Sequence, residues 1–230
     1  MKTIYISLLL FFATVACAYA GEPYFVTVGH RTLYYERYKA GTKTLVQTTT
    51  LDFSEVEAVG QARRTHYGML LCKANGKPLY GGRVPLSVMI AENGDVDMDF
   101  GGTVRMVLKN MFPNTKVTST GIPALMPANM QPGDTLPDSH CVVKAGLIEL
   151  TVDISGRKVL RRERITTPAG TFDCMVVRER KVEDGPFHHV DVWGDTWYAP
   201  GIGYVRHDEY DKKMRLETSE ILIQDTKNKK

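Results

Sequence analysis

The residues most able to do chemistry in this chain are His188, His189, Asp191 and His207. Successive side chains on an extended strand point to opposite faces, so His188 and His189 diverge while His189 and Asp191 share a face. If His207 lies on the neighbouring strand, then His189, Asp191 and His207 would supply the three protein ligands of a catalytic zinc ion, and hence a metal-dependent hydrolase. Nothing in their spacing demands this, and histidines on the surface of a hairpin are the simpler reading. A second acidic set, Asp95, Asp97 and Asp99, has a D-x-D-x-D spacing. A helix–loop–helix calcium site needs glycine at its sixth position and glutamate at its twelfth, where this chain has Phe100 and Met106. The intervening Val96 and Met98 suit a strand with a solvated acidic face. No cofactor is expected.

Nucleophiles have no supporting frame either. The chain contains no G-x-S-x-G elbow, no G-x-x-x-x-G-K-[ST] phosphate loop and no G-x-G-x-x-G opening a helix. Cys174 sits between Asp173 and Met175 on a strand pattern, where cysteine is a small buried apolar residue. No catalytic residue is assigned. The aromatic set is more suggestive of binding: Trp193, Trp197 and Tyr198 fall in one strand and Tyr204 in the next. Trp193 and Trp197, four apart, share a face. Such residues either bind an apolar ligand or fill a core, and core is the default.

The elements that carry these residues read as strands. Around Asn93-Gly94, a favoured hairpin pair, Leu86, Val88 and Ile90 alternate with Ser87, Met89 and Ala91, and Val96, Met98 and Phe100 alternate with the three aspartates. Turn signals recur at Asn75-Gly76, Ser155-Gly156, Pro168-Ala169-Gly170, Gly185-Pro186, Pro200-Gly201 and Asp211-Lys212-Lys213. They divide residues 147–224 into six short-linked strands, which must be antiparallel neighbours. One stretch breaks the period. Val104, Val107, Leu108 and Met111 have helical spacing, with Thr103 to cap the start and Pro113 to stop the end. The expected fold is mainly β: an antiparallel meander forming a curved sheet or half-barrel, with one short amphipathic helix. The run that follows to Asp138 reads as a short strand and then a long loop.

Charge and cysteine usage exclude further classes. The formal net charge is +3, with only Lys227-Asn228-Lys229-Lys230 as a basic cluster, so no nucleic-acid partner is expected. The start has the form of a secretory signal: Lys2, an apolar run to Ala18, and small residues Ala18 and Ala20 ahead of a cleavage before Gly21. That run is shorter than the roughly 20 residues a membrane-spanning helix needs. Ala16-Cys17 offers an alternative lipid-attachment site, although Thr14 stands where such signals usually carry leucine. The expected organisation is a signal peptide over 1–20 and a single β domain over 21–230, with no transmembrane segment. Cleavage leaves Cys72, Cys141 and Cys174, an odd number open to one bridge and one free thiol or to three buried thiols.

The second half carries a recognisable pattern: Gly133-Asp134-Thr135-Leu136-Pro137-Asp138, then Thr166-Thr167-Pro168-Ala169-Gly170-Thr171-Phe172, then Trp197-Tyr198-Ala199-Pro200-Gly201-Ile202-Gly203. Over roughly Asp95 to Ile221 the chain resembles the TapB / domain-of-unknown-function 3108-like (DUF3108-like) family of exported Bacteroidetes proteins. The resemblance implies an antiparallel barrel-like fold and no established enzyme activity. The expected role is a non-enzymatic binder of an apolar or amphipathic envelope molecule such as a lipid, in the periplasm or at the cell surface. A structural or assembly partner in the envelope is the alternative from another class.

Overall fold

The computed structural model describes residues 21–186 and 188–226. The segment read as a signal peptide, Cys17 and the basic tail lie outside them. In chain order the elements are β1 (Arg31–Lys39), β2 (Leu45–Val59), β3 (Ala62–Lys73), β4 (Val84–Ile90) and β5 (Val96–Met98). Helix α1 (Phe100–Met111) follows, then β6 (Val117–Ile122), β7 (Ala124–Met126), β8 (Ser139–Ala145) and β9 (Ile148–Thr167). The chain ends with β10 (Gly170–Gly185), β11 (His188–Ala199), β12 (Gly203–Tyr210) and β13 (Leu216–Thr226).

All thirteen strands join one antiparallel sheet in the order β6-β8-β9-β10-β11-β12-β13-β1-β2-β3-β4-β5-β7. Its two edges, β6 and β7, are consecutive in the chain and separated by Pro123 alone. A single residue cannot cross the breadth of a flat sheet, so the sheet curls until its edges meet. The right-handed twist of paired strands favours that curl. The result is a barrel closed at one end of the seam. Along the rest of the seam α1 packs against β4, β6 and β8, bridging the two sides of the gap.

Alternation builds the inner wall. Leu33 and Tyr35 of β1, Leu51 and Phe53 of β2, and Val205 of β12 are almost wholly buried. Before β1 the segment Tyr24-Phe25-Val26 is buried as well, and Thr65 donates to the Val26 carbonyl at 3.0 Å. The residues just after the expected cleavage site therefore plug the barrel. Arg31, 6% exposed, holds Asp225 of β13 through a two-pronged pair and donates to the Gly201 carbonyl at 2.7 Å.

Several local expectations are corrected. Ser155-Gly156 does not end a strand: β9 runs unbroken for 20 residues and bulges there, with Lys158 opposite Arg178 and Ser155 opposite Arg180. Gly156 takes φ +60°, which a glycine turn signal describes equally well whether the chain reverses or only bulges. The helix begins at Phe100, not at Thr103, because Asp99 accepts from the Gly102 amide at 2.7 Å and is the cap. Phe100 thus leaves the strand alternation, and β5 is only three residues long. The thiols of Cys72, Cys141 and Cys174 are all free, but Cys72 is only half-buried, so neither a bridge nor three buried thiols describes them.

Candidate functional site

Inside the curled sheet lies a chamber of about 290 Å³, lined from β1–β4 and β10–β13, from Met98 of β5, from Phe100 and Thr103 at the start of the helix, and from the N-terminal plug. Its two ends differ in chemistry. At one end Phe25, Phe53 and Tyr67 form a triangle with ring centroids 5.3–5.7 Å apart. Tyr35 stacks on Tyr204 at 4.4 Å beside them, and its hydroxyl donates to the Tyr204 carbonyl at 3.0 Å. Burial drives the Tyr35, Tyr67, Tyr198 and Tyr204 phenols well above their ordinary pKa, so all four stay neutral.

The other end is polar. The Arg37 guanidinium meets Glu220 at 2.9 Å and lies 3.6 Å from Glu209. Thr49 donates to the second oxygen of Glu220 at 2.6 Å. His207 shares a 2.8 Å hydrogen bond with Thr196 across β11 and β12. That ring fits because Gly194 faces it: a Cβ there would come within 2.7 Å of the imidazole. Burial first, then the positive charge of Arg37 and Lys181, pushes the His207 pKa down to about 3, so the ring stays neutral, with one donor and one acceptor nitrogen. The network is not complete within the chain. Among the described residues, Arg37 Nε and Thr218 Oγ1 are buried without partners.

The back of the polar end is anchored by Arg157, 1% exposed, which the β9 bulge releases from the strand ladder. Its guanidinium pairs with Glu179 at 3.2 Å and donates to the Leu125 and Pro137 carbonyls, both at 2.9 Å. Leu125 belongs to β7, so one buried cation ties β9 to the far edge of the sheet.

The residues singled out from sequence separate into two groups. Tyr198 and Tyr204 line the chamber. Trp193 and Trp197 share a face, as their spacing requires, and it is the outer one. Trp197 lies under the guanidinium groups of Arg206 and Arg161, 4.7 and 5.8 Å from its ring centre, and donates to Glu163 at 3.0 Å. Trp193 packs over Gly156.

The histidine group is dispersed. His189 pairs across the hairpin with Asp184 at 3.2 Å, and His188 with Glu183 at 2.6 Å. Asp191 accepts both prongs of Arg180 and lies 3.0 Å from Lys212, which hold its carboxyl well below the usual range. His207 stands opposite Thr196, seven residues and so about 23 Å along β11 from His189, and on the other face. Asp95 accepts from the Ala128 amide and Asp99 caps the helix. Among the described residues no three His, Cys, Asp or Glu side chains converge to hold a metal ion. The Cys174 thiol is pushed up to about 12, chiefly by burial, which removes it as a nucleophile.

Most of the chamber wall was not singled out from sequence. Phe25, Tyr35, Phe53, Tyr67, Glu209 and Glu220 are among its main parts, with Arg37 behind them, and four of these six wall residues precede residue 68. The available signal was the alternation Leu33-x-Tyr35-x-Arg37 and Thr49-x-Leu51-x-Phe53, in which a charge continues an apolar face.

No curated protein matches this chain. Two solved structures share the fold. One is a Bacteroides fragilis protein described as a candidate exported protein with a YmcC-like fold. It is 21% identical, with a TM-score of 0.71 over 90% of this chain and 100% of that one. The other, described as a candidate lipoprotein, is from Parabacteroides distasonis. It is 21% identical, with a TM-score of 0.70 over 90% of this chain and 99% of that one. The DUF3108-like family model matches residues 32–222, which takes in eleven whole strands and most of β1 and β13. By that match, the chain belongs to the DUF3108-like family.

Proposed function

We propose that this chain is an exported envelope protein, periplasmic or at the cell surface, that holds one apolar or amphipathic molecule in its barrel without transforming it. The observation that carries this reading is the chamber itself. A well-packed core of this size leaves few voids larger than a water molecule, yet here a chamber of about 290 Å³ separates aromatic walls from a polar end. Mostly apolar pockets with a few convergent polar groups are the usual form of small-molecule sites, and this one is at the small end of their range. At the ~30 Å³ that one water-sized group occupies, it takes roughly ten such groups. The leader read from sequence, and a fold shared with proteins described as exported and as a lipoprotein, support the compartment. Among the described residues no helix is long and apolar enough to cross a membrane.

Native mass spectrometry of protein purified from its own cell envelope tests the reading. The expected spectrum carries an added small mass that organic extraction removes. Leu51→Trp, which fills the chamber from β2, is expected to abolish that mass while the protein stays folded. A bare-chain mass, together with no binding of a neutral apolar fluorophore, would overturn it.

An assembly role has one observation in its favour. Edge strand β6 pairs only with β8, and Ile122 at its end is 66% exposed. The rest of that edge lies along the seam that α1 covers, so a partner's segment would meet it at the exposed Ile122 end. Co-purification from envelope extracts that is lost on Thr120→Pro would support this role over the chamber.

A further inference from the structure

The polar end of the chamber has a definite sign. Four charged side chains stand on its own wall: Glu179, Glu209 and Glu220, against the single cation Lys181. Lys181 is already engaged by Glu183 at 3.0 Å, and Glu183 also holds His188 at 2.6 Å. The two guanidinium groups that answer the wall carboxylates stand behind it. Arg157 serves Glu179, and Arg37 is shared between Glu220 and Glu209. Counting Glu183, which lies outside the lining but occupies Lys181, three cations answer four carboxylates, and the one left most weakly answered is Glu209.

Hydrogen-bonding capacity has the same bias. Glu220 uses both oxygens, one on Arg37 and one on Thr49. Glu209 makes only the long 3.6 Å approach to Arg37, and among the described residues no donor lies on its other oxygen. Glu179 spends one oxygen on Arg157. The unpaired Arg37 Nε is sealed in the wall and offers nothing to the chamber. Apart from Lys181, whose ammonium Glu183 engages, carboxylate acceptors dominate what faces the cavity, and Glu209 is the least compensated of them, in a setting where water screens charge poorly.

We infer that the molecule held in this chamber is an amphipathic amine: an apolar tail among the aromatic rings and an ammonium head beside Glu209. A carboxylate or phosphate head of the same tail length would meet like charge and unmatched acceptors, a repulsive element that sets specificity as surely as the attraction does. This inference rests on the chamber reading, and the experiment separates the two.

The chamber is loaded with the neutral fluorophore N-phenyl-1-naphthylamine at pH 7. Decylammonium, decanol and decanoate, each below its micellar concentration, then compete for it. Decylammonium is expected to displace the probe at a concentration at least about tenfold lower than decanoate, with decanol between them. Glu209→Gln is expected to close that gap to about threefold or less. Decanoate competing as well as decylammonium on the unchanged protein would overturn the inference and leave the chamber reading intact. Failure of the fluorophore and of all three competitors to bind would overturn both. The comparison of head groups on the unchanged protein needs no variant to fold.

Discussion

Trp197 and Tyr198 are neighbours in β11, both are nearly buried, and they answer to opposite surroundings. Trp197 faces outward into a set of charges that is fully matched. Arg206 and Arg161 cover its ring, and Glu163 takes its indole N–H. Burial alone would raise the Glu163 carboxyl, but the Trp197 and Arg161 donors bring it below its ordinary value. Along the same outer face Arg178 pairs with Asp195 through two hydrogen bonds, Arg180 with Asp191, and Arg206 with Asp208. Tyr198 faces inward, where the charges are unevenly matched and space is left open. The outer ladder is complete within one chain and needs nothing else. The inner one has acceptors to spare. On the reading proposed above, the paired charges belong to the scaffold and the unpaired ones to the site.

The largest test of that contrast is Arg157. Arg157→Met leaves Glu179 without its cation and two carbonyls without a donor, so unfolding stability is expected to fall by about 3–5 kcal/mol in urea denaturation. A fall below about 1 kcal/mol would show that the inner wall does not depend on this anchor.

Acid comes next. The His207 pKa lies near 3 in the fold and 6.5 in its absence, so between these values the unfolded chain binds the extra proton. Stability is therefore complete above pH 6.5 and falls as pH drops toward 3, by up to roughly 1.4 kcal/mol per pH unit. The lowered carboxyls Glu163 and Glu183 add to this loss only below their unfolded values near 4.5, so the interval from 6.5 to 4.5 belongs to His207. Denaturation midpoints at pH 7.0, 6.0 and 5.0 should slope for the unchanged protein and flatten for His207→Gln.

On the outer face, Trp197→Phe removes an indole hydrogen bond and weakens the cation–ring contacts. A loss of about 1 kcal/mol is expected, with no change in ligand competition. If competition does change, the two faces are not independent. Smallest of all, Leu147 protrudes fully at the tip of the β8–β9 hairpin, and Leu147→Ser should move thermal stability by no more than about 0.5 kcal/mol.

The legible features were those encoded over a few residues. Asn93-Gly94 joins β4 to β5, Pro168-Ala169 joins β9 to β10, and Asp211 closes the β12–β13 turn through the Lys213 and Arg215 amides. The free, half-buried Cys72 and the dispersed His189, Asp191 and His207 show the limit. Spacing along one strand says which face a residue takes, but not what stands on the next strand.

By itself, then, the sequence determined strands, turns, one helix and the family pattern, because turn conformers and side-chain alternation are set by neighbouring residues. Only the tertiary structure decided three further matters: that Pro123 draws two sheet edges together, that Ser155-Gly156 bulges instead of reversing, and that Arg37 meets Glu209 and Glu220. Each depends on how strands distant in the chain pair, and which pairings form depends on closing the whole barrel at once.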